Sequence, residues 1–228
     1  MINKETKREI PYSQLQETKK LDILLFDPQW TSEWDEFVWK TNQGTLFHTR
    51  KFLNYHPEDR FKDHSLIFTK ENRWLAVMPA ALRYENDQKI LISHPGASFG
   101  GPVHRYPLSF KDTFRLVEAL LDHARQNDIK KIVLTLPPQI YYRRPSNYLD
   151  FALLESGFSY LKREVSSVIP LDFAEEDSLM YFTSESRRAV RKAMKLGVTT
   201  EESDDYKNFY SILQKNLKLR HNVRPAHT

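Results

Sequence analysis

The chain of 228 residues contains no cysteine. Disulfides, thiolate catalysis and cysteine-zinc sites are therefore excluded. Glycine is scarce, six against twelve prolines, so each glycine marks a place worth locating. No apolar run approaches the roughly 20 residues that cross a bilayer as a helix. Residues 1–20 hold no apolar stretch that would make a signal peptide. Neither sign of charge dominates: 34 Lys and Arg against 30 Asp and Glu leave +4, with a pI near 9.1. A soluble, cytoplasmic protein is expected, with a loose tail over residues 1–20. An anionic partner is allowed but not required. What is present is ordinary globular material, 40% hydrophobic and 28% charged, which argues against disorder.

Leu21-Asp-Ile-Leu-Leu-Phe26 reads as a buried strand. A helix follows, capped by Thr31 or Ser32, with Trp30, Trp34, Phe37 and Val38 at helical spacing. Gly44-Thr-Leu-Phe-His-Thr49 breaks it, and a short helix through Phe52, Leu53 and Tyr55 ends at Pro57. Ser65–Thr69, Trp74–Met78 and Lys89–Ser93 form an antiparallel meander with turns at Glu71-Asn72 and Glu85-Asn86-Asp87. Ser109-Phe-Lys-Asp112 resembles a capping box and opens an amphipathic helix whose stripe is Phe110, Phe114, Val117, Leu121 and Ala124. Lys131–Leu136 is a central strand, and Asn147–Ser156 a helix ended by Gly157. A further strand is expected between Phe158 and Leu171, alternating through Val165, Val168 and Leu171. Beyond it lie a helix over Ser184–Lys195, a short strand near Val198–Thr200 and a helix over Asp204–Leu219. The order predicts an α/β (α+β) three-layer unit with a mixed, largely antiparallel sheet over residues 21–175. Residues 176–228 then open a second unit of similar kind.

The densest basic segment is the helix Arg187-Arg-Ala-Val-Arg-Lys-Ala-Met-Lys195, with five cations in nine residues. Arg187, Arg191 and Lys195 share one face, with Arg188 and Lys192 beside them. Like charges at i, i+4 repel by a few tenths of a kcal/mol, ~0.2–0.5 each. A phosphate-bearing ligand would compensate; so would Glu201, Glu202, Asp204 and Asp205. Gly100-Gly101 allows positive φ and close approach of a ligand to backbone amides, or serves as a plain turn. No Gly-x-Ser-x-Gly elbow, P-loop or pyrophosphate turn of the Gln/Arg-x-x-Gly-x-Gly/Ala kind occurs. His123-x4-Asp128 matches an acyltransferase spacing that arises easily by chance. The eight histidines show no metal-ligand spacing, so no metal is expected. Tyr141-Tyr-Arg-Arg144 combines rings and cations after a strand end, where open α/β sheets place ligands.

Several of these pieces occur in a familiar order. A Trp-rich helix leads to Gly44-Thr-Leu-Phe-His-Thr-x-x-Phe-Leu-x-Tyr55. A Trp-Leu-Ala-Val-Met-Pro-Ala-Ala hairpin leads to Ser-Phe-Gly-Gly-Pro. Leu-Pro-Pro-x-Ile-Tyr precedes a helix ending Glu-Ser-Gly-Phe158. Ser-Arg-Arg-Ala-Val-Arg-Lys-Ala-Met-Lys-Leu-Gly-Val198 follows, then Phe209-Tyr210 and Arg220-His221. Over residues 20–228 this resembles the FemAB-like branch of the GNAT acyltransferases, which contains the peptidoglycan-bridge aminoacyltransferases. The resemblance implies a first GNAT-like domain over 21–175 and a truncated second one over 176–228. It implies transfer of an acyl or aminoacyl group to an amine of a phosphate-containing cell-wall precursor, incomplete in this chain. It implies aminoacyl-tRNA or acyl-CoA as donor, tRNA as a partner, and no bound cofactor. Arg187, Arg188, Arg191 and Lys192 would contact anionic substrate, Gly100 and Gly101 would line the groove, and His48 and Tyr55 would lie near it. No catalytic base is assigned. The alternatives are a non-catalytic module that holds nucleic acid or a partner through the basic helix, and a CoA-dependent N-acetyltransferase.

Overall fold

The computed structural model describes residues 20–57, 59–172 and 175–225, so residues 1–19 of the expected N-terminal tail and His227 lie outside the described residues. The chain forms two compact units, one ending at Arg163 and one beginning at Glu164.

In the first unit the strands are β1 (Asp22–Leu25), β2 (Lys62–Asp63), β3 (Leu66–Lys70), β4 (Arg73–Met78), β5 (Ala80–Glu85), β6 (Gln88–Ser93), β7 (Val103–His104) and β8 (Lys131–Val133). The helices are α1 (Thr31–Lys40), α2 (Arg50–Leu53), α3 (Phe110–Gln126) and α4 (Tyr148–Glu155). Hydrogen bonding gives two four-stranded sheets, β1-β3-β4-β7 and β2-β5-β6-β8. Every pairing is antiparallel except β6 with β8. The two sheets join at one corner of a long bent hairpin. Pro79 has no N–H for the ladder and separates β4 from β5. Opposite it, the Ser65 hydroxyl accepts from Ala80 N–H (3.1 Å) and donates to the Ala80 carbonyl (3.3 Å), taking over the interrupted bonds. The expected turns form: Glu71-Asn72 and Asn86-Asp87 all take positive φ, as tight hairpins require.

β5 was not anticipated, because Pro79 reads as the end of a strand rather than as a corner. β2 and β7, of two residues each, are too short to leave a pattern. The strand expected between Phe158 and Leu171 is absent, as is that near Val198–Thr200. Alternation becomes a strand only where the backbone pairs with a neighbour. Here Val165, Val168, Leu171 and Val198 stay exposed and join no ladder.

Strand alternation builds the layers. Leu66, Phe68, Ala76 and Met78 face a core closed by Leu116, Val117, Leu120 and Ala124 of α3 and by Leu149, Ala152 and Leu153 of α4. Their neighbours Ile67 and Val77 face the other way, onto Trp34, Phe37 and Val38 of α1. Each large side chain so buried contributes on the order of 1.5–3 kcal/mol. The α3 stripe is rotated from the one expected. Thr113, Leu116 and Leu120 are buried, while Phe110 sits on the rim against Tyr148 and Phe151. Ser109 does cap α3, accepting from Asp112 N–H at 3.0 Å. Asp112 in turn accepts from the Ser109 hydroxyl (3.0 Å) and pairs with Lys70 and Arg115; against burial, Lys70, Arg115 and Ser109 hold its carboxyl below the ordinary range.

In the second unit, α5 (Ser184–Lys195) and α6 (Tyr206–His221) form where helices were expected. Thr183 caps α5, accepting from Ser186 N–H at 3.2 Å, and Asp205 caps α6, accepting from Asn208 N–H at 3.0 Å. No residue of either helix is buried.

Candidate functional site

The parallel strands β6 and β8 pair as far as Ile92 and Val133, then diverge. The loop of residues 94–102 enters the gap. Gly100 N–H donates to the Thr135 carbonyl (2.7 Å), and Thr135 N–H donates to the Ser93 hydroxyl (2.8 Å). Gly101 takes φ +85°, and a Cβ there would meet Leu136 at 2.6 Å. Only glycine fits. The Gly100 amide is thereby committed to the protein's own backbone.

A second loop, after α1, closes on the first. Gly44 lets the chain fold back on the end of α1, where a Cβ would fall 2.2 Å from the Val38 carbonyl. Gln43 donates to the Pro102 carbonyl (3.4 Å). The Thr45 N–H donates to His48 Nδ1 at 3.2 Å, with the Thr45 hydroxyl 3.0 Å from the same atom. A neutral ring that accepts at Nδ1 carries its proton on Nε2. Nε2 makes no hydrogen bond among the described residues, and neither does Gln43 Oε1. Burial pushes His48 down to about 4, opposed by the backbone at Gly100 and Thr45. At neutral pH His48 is an uncharged N–H donor beside the Gly100 backbone. Two residues chosen 52 positions apart in sequence thus meet.

Asn42 went unnoticed in the sequence. Its carbonyl accepts from Arg143 N–H (2.9 Å), its side-chain oxygen accepts from Arg144 N–H (3.0 Å), and its amide donates to the Arg144 carbonyl (2.9 Å). It fixes the Tyr141–Arg144 segment beside the loop after α1. Arg50 was likewise missed. It is 1% exposed, paired with Asp63 at 2.5 Å, and its guanidinium lies 3.5 Å from the Phe26 ring centroid and 4.5 Å from that of Trp34. Burial lowers its affinity for the proton, while Asp63 opposes the loss. Nothing in its sequence neighbourhood distinguishes it from a surface arginine.

Tyr55, half-exposed, stands farther along the same rim, with its ring 6.4 Å from Phe52 and 5.1 Å from His56. His123 does not serve an acyltransferase motif. It lies on α3 with Nε2 2.9 Å from His64 Nε2, and burial lowers both rings, His64 to about 4. Among the described residues no group of three or more His, Asp or Glu could hold a metal ion.

The four basic residues form a group of their own in the second unit. Arg188, Arg191 and Lys192 are exposed and Arg187 is half-buried along α5. Among the described residues none of the four makes an ion pair. Asp204 instead accepts from the Tyr206 hydroxyl (3.1 Å), and Asp205 caps α6. The acids that could have neutralised the helix do not.

No family model matches the chain, and no curated protein matches it. Solved structures do. FemX superposes with a TM-score of 0.56 and 18% identity, over 90% of this chain and 52% of the FemX chain. The likeness is one of fold, and this chain spans about half the FemX length. A ribosomal-protein-alanine N-acetyltransferase from Brucella melitensis biovar Abortus 2308 gives 0.41 and 13%, over 65% of this chain and 99% of its own. A GNAT family acetyltransferase from Staphylococcus aureus gives 0.37 and 10%, over 66% and 100%.

Proposed function

We propose that the chain is the substrate-binding portion of a FemAB-like acyl- or aminoacyltransferase, acting on an amine of a phosphate-bearing peptidoglycan precursor. The observation that carries this is the FemX fold over nine-tenths of the chain. The ordered motifs of the sequence agree with it. The α5 cations, without ion pairs among the described residues, support a phosphate or pyrophosphate contact: Arg187 and Arg191 on one face, with Arg188 and Lys192 beside them. In the transfer, the acceptor amine attacks the acyl carbonyl. A C–N bond forms, the bond to the donor's leaving oxygen or sulfur breaks, and the amine proton goes to that leaving group. The protein's part is to hold amine and carbonyl together and to shield the developing oxyanion. Within the first unit, His48, Gly100, Gly101 and Tyr55 are the residues proposed to line the substrate. With the Gly100 amide spent on Thr135, aminoacyl-tRNA suits the donor role better than acyl-CoA cradled at this strand gap. The alternative, a non-catalytic module holding nucleic acid, is favoured by the same unpaired cations.

The test supplies the protein with charged tRNA, acetyl-CoA and a lipid-linked muropeptide, and follows mass gain on the muropeptide amine. Arg187→Glu with Arg191→Glu should weaken the muropeptide complex at least about tenfold, each charge-assisted bond being worth ~1.5–3 kcal/mol. Unchanged affinity in the folded variant removes α5 from the site. Salt-sensitive tRNA binding without transfer from any donor supports the binding module.

A further inference from the structure

The first unit carries an apolar face with cations beside it, on the loops that border the residues assigned to substrate. Phe47 meets Phe52 at 5.0 Å and Phe99 at 4.8 Å, and Phe99 meets Tyr141 at 5.3 Å. One continuous row of rings thus joins the loop after α1, the helix α2, the loop after β6 and the loop after β8. Two aliphatic side chains stand out from it, Leu46 at 48% exposure and Ile140 at 62%. Tyr55 and Tyr141 project at 52% and 53%. Cations outnumber acids in the sequence around it, five (Arg50, Lys51, Arg60, Arg143 and Arg144) against two (Glu58 and Asp59) over residues 46–61 and 139–146. Lys51, Arg60, Arg143 and Arg144 are exposed, against Asp59 among the described residues of residues 46–61 and 139–146.

We propose that this face docks on an anionic lipid surface. Rings and aliphatic side chains enter the headgroup boundary while arginines and lysines meet anionic headgroups. Ring geometry separates this from a base-stacking site. Phe47 presents its contacts to Phe52 and Phe99 edge-to-face, at 87° and 79°, so Phe47 is spent on its neighbours. Leu46 and Ile140 have no face with which to stack on a base or a sugar. Penetration of a lipid boundary needs only apolar bulk and neighbouring cations. The docking stands on this surface alone and does not depend on the transfer activity. It would hold a transferase beside an acceptor carried by lipid.

The experiment is co-sedimentation of the whole chain, without donor or acceptor, with vesicles of equal parts phosphatidylcholine and phosphatidylglycerol and with vesicles of phosphatidylcholine alone. Binding to the anionic vesicles, weakened by salt, is expected. Leu46→Ser with Ile140→Ser lowers that affinity about tenfold or more, since two exposed side chains lose their apolar burial. Lys51→Gln with Arg144→Gln removes the preference for the anionic vesicle. All four positions are exposed, and circular dichroism checks that the fold is kept. No sedimentation with either vesicle overturns the proposal. So does unchanged binding by the Leu46/Ile140 variant, or a loss that follows Arg187→Glu with Arg191→Glu instead. Tight binding of polyuridine RNA that is lost in the Leu46/Ile140 variant also overturns it. A transferase assay that fails for every donor leaves each of these readouts intact.

Discussion

At the residue scale, His48 has the most consequential chemistry. It is fully buried, accepts at Nδ1 from Thr45 and has a pKa depressed to about 4 from an ordinary 6.5. A histidine whose pKa is lower in the folded protein is protonated first in the unfolded chain. Its stabilising neutrality is complete above pH 6.5 and is lost as pH falls from there towards 4. The loss amounts to on the order of 3 kcal/mol across that window, at about 1.36 kcal/mol per pKa unit. Thermal unfolding followed from pH 7.5 to 4 should therefore show a falling midpoint. His48→Asn keeps an acceptor for the Thr45 N–H and removes the titrating ring, so its curve should be flatter between these limits. A variant curve parallel to the wild type would place the pH dependence elsewhere, with His64 the next candidate. A histidine between Phe47 and Thr49 was legible in the sequence as a site candidate. Its partner at Gly100 was not, because a contact between two loops leaves no periodicity.

At the element scale, the units differ in how their helices are held. α3 buries Leu116, Val117 and Leu120 and is tied to β3 through Lys70 and Asp112. α5 and α6 bury nothing, although each is well capped. Met194, Leu196, Phe209, Ile212 and Leu219 remain exposed. Isolated helices of this length are marginal, since most helical stability comes from packing. Amide exchange should reflect this: central α3 amides exchange at least about a hundredfold more slowly than those of α5 and α6. Comparable protection would mean that a partner surface covers the second pair. The same contrast decides what the sequence could show. Helices were legible in both units because 3.6-residue spacing is local; the cap read at Ser109 forms, while the cap expected from Thr31 or Ser32 does not, α1 having Trp30 at its N-cap with no side-chain cap. The failures in the sheets are non-local. The bend at Pro79 needed Ser65, at the entry to β3, and the expected strand of residues 158–171 finds no partner in either sheet. The site divides likewise. The charge on α5 is written in nine consecutive residues, whereas Asn42 and Arg50 act on segments far away in sequence.

At the scale of the whole molecule, the two units are joined by a stretch with no helix or strand. From Ser159 to Asp172 every residue is exposed, including the cleavable pair Lys162 and Arg163. Arg163 closes the first unit, its guanidinium 4.7 Å from the Tyr160 ring centroid, an exposed contact of small worth. Exposed segments outside the regular elements are where proteases enter. In the first unit, Arg50, Lys70 and Arg115 sit in helices or paired strands, where cleavage requires local unfolding, and the exposed Arg143 is held by its bonds to the Asn42 and Trp39 carbonyls. Brief trypsin treatment should therefore cut first at Lys162 or Arg163 and leave a resistant fragment ending there. That fragment contains His48 and His64, so its unfolding midpoint should keep the fall between pH 6.5 and 4. The fragment's mass and its pH profile check the two statements separately. Early cuts scattered through residues 20–160 would contradict the compactness of the first unit. A resistant fragment with a flat profile would show that the buried histidines owe their neutrality to the remainder of the chain.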